Sequence, residues 1–352
     1  MQTIDVAVVG AGNWGFNHVR TFGQLPGCRL RAVSDLSAKN LDKVRRQFPE
    51  VFVSEDYEQV LDLADLQAVV VATTAATHYP IARAALERGR HVLVEKPMTL
   101  DMDEAQALIE LARSKNRVLM VGHILLFHPV VTALKRAIEA GTLGKIHYIY
   151  SQRVNLGQVR TDENSLWSLA PHDISVMLYL LGQYPESVSA TGQAFISQAV
   201  QDVVFFSLKF PEGQLGHGHA SWLDPSKIRQ FTIVGSRKMA VFDDMQPVEK
   251  LRLYDKGVDI AESYDSWGGA LSLRQGDITI PAIQMSEPLR NEALHFLECV
   301  REGKPPLTDG INGLEVLSLL QAAQRSLEAG GSAVPTVLPE RVRELKLASY
   351  HR

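Results

Sequence analysis

The sequence predicts an α/β protein in two parts: a doubly wound parallel domain over residues 1–122, then an α+β domain over 123–352 built on a large mixed, mostly antiparallel open sheet. Three observations predict it. The chain opens on a buried strand, a glycine-rich turn and a helix; further apolar runs, each followed by an amphipathic helical segment, repeat that alternation; and beyond residue 122 strands succeed one another across short turns. A chain of 352 residues fits about two domains and can bury a core without disulfides or structural metal.

The front segment "IDVAVVGAGNWGFNHVRTFGQL" reads as a strand from Ile4 to Val9, a turn and a helix. Gly10 permits the tight turn, Gly12 lets the backbone approach a pyrophosphate, and Gly15 lets the helix pack closely on its strand. Asn13 and Trp14 complete the loop, and the positive end of the helix suits the phosphates. The next strand, "LRAVSDLS", ends at Asp35, 20 residues beyond Gly15, where a carboxylate accepts the adenosine ribose hydroxyls. A 2′-phosphate there would meet like charge, so the pattern favours NAD over NADP.

Another buried strand, Ala68 to Ala72, leads into a Thr-rich loop whose Thr73 and Thr74 should line the cofactor; His78 either caps that loop or touches the ligand. "HVLVEKP" is the following strand, so Glu95 and Lys96 emerge at the carboxyl end of the sheet, where ligands sit. Pro97 restricts its predecessor to extended geometry, which narrows the orientations of Lys96. The helix "MDEAQALIELARSKN" and the strand "RVLMVGH" close this part.

In the second part a helix, "PVVTALKRAIEAGTLG", precedes six strands between Lys145 and Asp244. The Gly-, Ser- and Asp-rich segment from Asp255 to Pro288 reads as loops or an intersubunit arm, and two later helices have apolar faces suited to covering the second sheet. Ahead of "APHDISVMLYLLG", Asn155, Arg160, Asp162, Asn164 and Trp167 crowd polar groups fit for a polyhydroxylated ligand. Pro171 reads as the first helical residue, which sets His172 at the positive helix end and leaves its imidazole free to accept a proton. Lys96 and His172, from separate domains, are then the pair expected for alcohol oxidation beside a nicotinamide: a base takes the hydroxyl proton and a cation steadies the developing alkoxide.

Lys+Arg 36 against Asp+Glu 40 gives a formal net charge of −4 and no basic stripe for nucleic acid. Cys28 and Cys299 match neither a zinc spacing nor a disulfide framework. His217 and His219 share a strand face without a third ligand, so no metal site is expected. With no basic leader and no membrane-length apolar run, a cytoplasmic setting is expected.

"VVGAGNWG", "VEKP" and "APHDI" in this order resemble the glucose-fructose oxidoreductase, inositol dehydrogenase and rhizopine catabolism family, the Gfo/Idh/MocA family, over nearly the whole chain. The resemblance implies an N-terminal Rossmann domain, a homodimer or homotetramer formed through the C-terminal sheet, and Lys96 and His172 at the reacting carbon. Many members carry Asp four positions before the histidine, where this chain has Ser168. The stretch "NLGQVRTDENSLWSLAPHDIS" looks more like the branch of UDP-N-acetylglucosamine and UDP-N-acetyl-glucosaminuronate 3-dehydrogenases. That likeness implies a UDP-sugar substrate met by Asn155, Arg160, Asn164, Trp167, Ser168 and His172. Free cyclitols or sugars, and a noncatalytic NAD-binding regulator, are the alternatives.

Overall fold

The computed structural model describes residues 3–157, 160, 163–196, 200–260 and 271–338. The first half alternates strand and helix: β1 (Ile4–Val9), α1 (Gly15–Gln24), β2 (Cys28–Ser34), α2 (Ala38–Gln47), β3 (Phe52–Ser54), α3 (Tyr57–Leu61), β4 (Ala68–Val71), α4 (His78–Glu87), β5 (His91–Val94), α5 (Met102–Ser114) and β6 (Leu119–Val121). The strands form a parallel sheet ordered β3-β2-β1-β4-β5-β6. Its centre is apolar on both faces because helices cover both: Val6, Ala7, Val8, Val69, Val70 and Val92 have no exposed surface. Each buried valine contributes roughly 1.5–3 kcal/mol.

The second half begins with α6 (Pro129–Glu139), β7 (Ile146–Val154) and α7 (Ser165–Leu181), then β8 (Ser187–Gln193), β9 (Val203–Lys209), β10 (Leu215–Ser221), β11 (Ile228–Gly235), β12 (Met239–Asp243), β13 (Leu251–Ile260) and β14 (Leu271–Thr279). After α8 (Pro288–Glu302) and α9 (Gly310–Glu328), the short β15 (Val334–Pro335) joins β8, and the sheet runs β14-β13-β12-β11-β7-β10-β9-β8-β15. Among the described residues, only β7 and β10 pair in parallel within it; the other neighbours are antiparallel. One face packs on α7, where the Met177 sulfur would lie 3.0 Å from a Cβ on Gly216. The opposite face carries Tyr148, Phe205 and Leu215 exposed, with Phe205 stacked on His219 at 4.2 Å.

The β13–β14 hairpin and the placement of α8 differ from the sequence reading. The segment after Asp255, expected as loops or an intersubunit arm, holds most of the β13–β14 hairpin, with Arg274 bonded to both Asp255 and Asp259 across it; residues 261–270 lie outside the described residues. Cross-strand ion pairing supports strands that composition alone scores as loop. The helix α8, expected on the second sheet, belongs with the first sheet instead. The chain divides into one compact unit of residues 3–127 with Ser286–Ser318 and another of 128–285 with Leu319–Val337, where a sequence boundary at 122/123 would run straight on. The segment returns because α8 packs on α1 through Phe22 and Phe296, and Thr308 pairs with Val121.

Candidate active site

In the first sheet the strand order reverses between β1 and β4, so the loops after these two strands leave the sheet side by side. Gly10 has φ +93°, and a Cβ there would sit 2.5 Å from the Ala72 carbonyl oxygen. A Cβ on Gly15 would strike the Gly10 oxygen at 2.0 Å, whereas one on Gly12 meets nothing within 4 Å. Two glycines therefore serve packing, and the third leaves bare backbone open to a ligand. Asp35 follows β2 and accepts from Ala11 N at 2.6 Å on one oxygen, and from Ser37 N at 2.8 Å and Asn40 Nδ2 at 3.0 Å on the other. It fixes the glycine loop as well as offering a remaining acceptor position to a ribose. Open backbone at Gly12 beside the Asp35 carboxylate fits a dinucleotide; Asn13 and Trp14 are exposed on the same loop.

Thr73 is half-buried and Thr74 exposed after β4, and Thr77 Oγ1 bonds Thr73 Oγ1 at 2.8 Å. His78 departs from the role of a cofactor contact. It is 1% exposed, with Nδ1 2.7 Å from the Pro97 oxygen and Nε2 3.2 Å from the Thr73 oxygen, so the ring is a brace between two loops. Burial lowers its pKa, against the pull of those two carbonyls.

Glu95 is buried at the end of β5 and organises its surroundings. Its Oε1 accepts from Trp14 Nε1 at 2.5 Å and lies 2.8 Å from His18 Nε2, while Oε2 accepts from Lys96 N at 3.2 Å. Burial alone would raise this carboxyl; the His18 and Trp14 hydrogen bonds outweigh it and hold the pKa below the ordinary value. Lys96 is half-buried, and its peptide bond to Pro97 is cis. His123, just past β6, has no mark in the sequence, yet it is fully enclosed, bonds Asn312 Oδ1 at 2.7 Å and feels the charges of Glu95 and Lys96.

In the second unit α7 starts at Ser165, not at Pro171. Asn164 is the N-cap, accepting from Trp167 N at 3.1 Å, and its amide donates to Gln201 and Gln324 at 3.0 and 2.9 Å. Its amide is thus committed to the protein and not to a ligand. Pro171 lies inside the helix, and His172 falls two turns past the start, so the helix-end argument for its proton affinity does not apply. The sequence reading mistook an interior proline for a first-turn marker because "NSLWSLA" has few charges to signal a helix.

His172 is half-buried, and Ser168 is 9% exposed one turn before it. Trp167 Nε1 donates to Gln324 Oε1 at 3.3 Å. Asn155 Oδ1 accepts from Arg229 Nη2 at 2.5 Å, and Arg160 pairs with Glu163 while about half-exposed. Asp162 lies outside the described residues. Asp173, next to His172 on α7, is 1% exposed and takes two bonds from Arg153 of β7 at 2.9 and 2.8 Å, locking α7 to the sheet. Burial raises the Asp173 pKa even against Arg153.

Comparison with known proteins covers both units. Residues 4–123 match the oxidoreductase family with the NAD-binding Rossmann fold, and residues 131–241 match the GFO/IDH/MocA C-terminal domain. The chain is 27% identical over 335 residues to UDP-N-acetylglucosamine 3-dehydrogenase of Acidithiobacillus ferrooxidans, covering 94% of this chain and 99% of that protein. A solved structure of that enzyme superposes with a TM-score of 0.79 at 26% identity, over 94% of this chain and 99% of the other. The scyllo-inositol 2-dehydrogenase (NAD(+)) of Bacillus subtilis is also 27% identical, over 93% of this chain and 95% of its own. An oxidoreductase structure from Magnetospirillum magnetotacticum MS-1 gives 30% identity and a TM-score of 0.79 over 91% and 99% of the two chains. With the glycine loop, Asp35 and both matched domains in place, the chain belongs to the Gfo/Idh/MocA family and is an NAD-dependent dehydrogenase acting on a CH–OH group.

Proposed function

We propose that the chain oxidises the 3-hydroxyl of a UDP-linked N-acetylated amino sugar to the 3-keto sugar. The observation that carries this reading is the likeness to UDP-N-acetylglucosamine 3-dehydrogenase, which extends over 94% of this chain and 99% of that enzyme. Held against the open backbone at Gly12, on the loop that Gly10 and Gly15 shape, and at Asp35, NAD would supply the redox chemistry by accepting hydride. Lys96 steadies the developing alkoxide and His172 takes the hydroxyl proton. Arg160, half-exposed beside Glu163, offers a guanidinium to a diphosphate or a sugar carboxylate. Asn155 keeps its amide N–H groups for an acetamido oxygen while Arg229 occupies its Oδ1.

A second reading, dehydrogenation of a free cyclitol, is favoured by the equal 27% identity to scyllo-inositol 2-dehydrogenase. Ser168 speaks against it, since a hydroxyl is a poor proton store at neutral pH where a carboxylate is expected. No helix among the described residues is long and apolar enough to cross a membrane. The open face bearing Tyr148, Phe205 and Leu215 is the surface through which a homodimer or homotetramer forms.

Purified protein given NAD and a panel of UDP-sugars, with inositols and free aldoses alongside, is expected to form NADH fastest with a UDP-N-acetylated amino sugar. Faster turnover of inositol reverses the ranking, and tight NAD binding without turnover of any substrate supports the noncatalytic alternative.

A further inference from the structure

Beneath Glu95 lies a group of polar atoms that the reaction as described does not use. His18 and Glu292 have no exposed surface, and Thr21 is 4% exposed. Among the described residues His18 Nδ1, Thr21 Oγ1 and both carboxyl oxygens of Glu292 lack a hydrogen-bond partner. Buried polar atoms that stay unpaired are uncommon because each costs its desolvation, and four gathered on two packed helices ask for a common explanation.

The helices bring them together. Arg20 of α1 pairs with Glu287 at the start of α8, Phe22 meets Phe296 with ring centroids 6.5 Å apart, and Arg301 near the end of α8 bonds the Gly27 oxygen just past α1. Contacts progressing in the same order mean that α1 and α8 run parallel. Phe22 and Phe296 stand 274 residues apart, an offset that carries His18 to Glu292, and Glu292 lies near enough to Glu95, the carboxylate that His18 bonds, to feel its charge. His18 also stacks on Phe22, with ring centroids 6.3 Å apart, so the two rings share one face of α1.

Glu95 accepts from Trp14 Nε1 and Lys96 N, so it is present as an acceptor and His18 must direct its Nε2 hydrogen at it. That leaves His18 Nδ1 as the acceptor of the ring, buried and without a hydrogen-bond partner among the described residues. We propose that Glu292 keeps its proton and offers it as a hydrogen bond, through one bridging water shared with Thr21, to His18 Nδ1, so that a buried Glu292–water–His18–Glu95 line positions Trp14 and the Lys96 peptide.

The charge environment agrees. Burial raises the Glu292 pKa well above the ordinary value, and the negative Glu95 raises it further. The titratable groups around this line are His18 of α1, Glu95 and Lys96 after β5, and His123 after β6; none supplies Glu292 with an ion-pair partner in the described residues. A neutral carboxyl that donates is the form such a place permits. Glu292 is thus a positioning residue. Its influence reaches the reacting atoms only through His18 and Glu95, and its kinetic effect rests on the reading of Lys96 given above.

The test uses the full-length protein. Infrared spectroscopy near neutral pH is expected to show the C=O stretch of a protonated, buried carboxyl that is lost in Glu292→Gln. Emission of Trp14, isolated by difference from Trp14→Phe, should shift in Glu292→Leu and return towards wild type in Glu292→Gln, which retains an N–H donor. Turnover should fall about tenfold or more in Glu292→Leu, mainly in kcat, with Glu292→Gln recovering most of it. Absence of the infrared band, or wild-type Trp14 emission in Glu292→Leu, overturns the proposal. If Lys96→Ala turns over normally, the role given to Lys96 fails, while the infrared and emission measurements still decide the role of Glu292. Should Glu292→Leu fail to fold, the band in wild type and its loss in Glu292→Gln decide it alone.

Discussion

At the scale of single residues, the first unit gathers polar groups in places water does not reach, and their interactions set what each can do. Lys96 leaves the end of β5 beside a carboxylate that is itself held by two ring N–H groups, while His172 stands on a helix locked by Asp173 and Arg153. If they act as proposed, Lys96→Ala and His172→Ala each lose ~10²-fold or more in kcat and still bind NAD by titration calorimetry; unaltered turnover in both would refute the assignment.

His123 makes a prediction about pH. Burial pushes its imidazole down to about 4, against the opposing Asn312 hydrogen bond, and burial with the Arg117 charge does the same to His91, also to about 4. Because the folded pKa lies below the unfolded value of 6.5, the unfolded chain binds more protons as the medium acidifies. The stability these groups preserve is whole above pH ~6.5 and drains away as pH falls towards 4. Between about pH 7.5 and pH 5, His123 alone accounts for a loss of about 2 kcal/mol. Urea unfolding should show a shallower pH dependence in His123→Gln than in wild type, and equal slopes would contradict the burial argument.

At the scale of elements, the glycine loop separates packing from binding. Gly12→Ala places its methyl in open space, so melting temperature should stay near wild type while NAD affinity drops by about tenfold or more. Gly15→Ala drives its methyl into the Gly10 carbonyl and should lower both stability and NAD affinity. Equal behaviour of the two variants would mean that the loop does not receive the cofactor. These roles were legible in sequence because strand, glycines, helix and Asp35 are local and their spacing is set by backbone geometry. The β13–β14 hairpin was not, since its support comes from ion pairs between strands and its composition is that of loops. Nor was the start of α7, where a cap three residues before a tryptophan competed with a more conspicuous proline.

At the scale of the whole molecule, the division of labour follows from which segments fold together. Residues 286–318 return to the first unit, and no linear reading of domains anticipates that a helix nearly 300 positions along supplies Glu292 beneath the first helix. A signal was present: Glu292 falls in the stripe of Leu289, Ala293 and Phe296 that faces inward, where a carboxylate is out of place. The catalytic candidates carry sequence marks because "EKP" and "APHDI" are contiguous motifs, while His18, His123 and Asp173 gain their meaning only from partners distant in the chain.

The most direct test of the proposed reaction follows the hydride itself. UDP-N-acetylglucosamine deuterated at C3 is incubated with the protein and NAD, and the reduced cofactor is analysed by mass spectrometry. Deuterium transferred to the nicotinamide, with a 3-keto sugar as co-product, is the predicted result; reduced cofactor formed without deuterium, or no reduction while an inositol is oxidised, would contradict it.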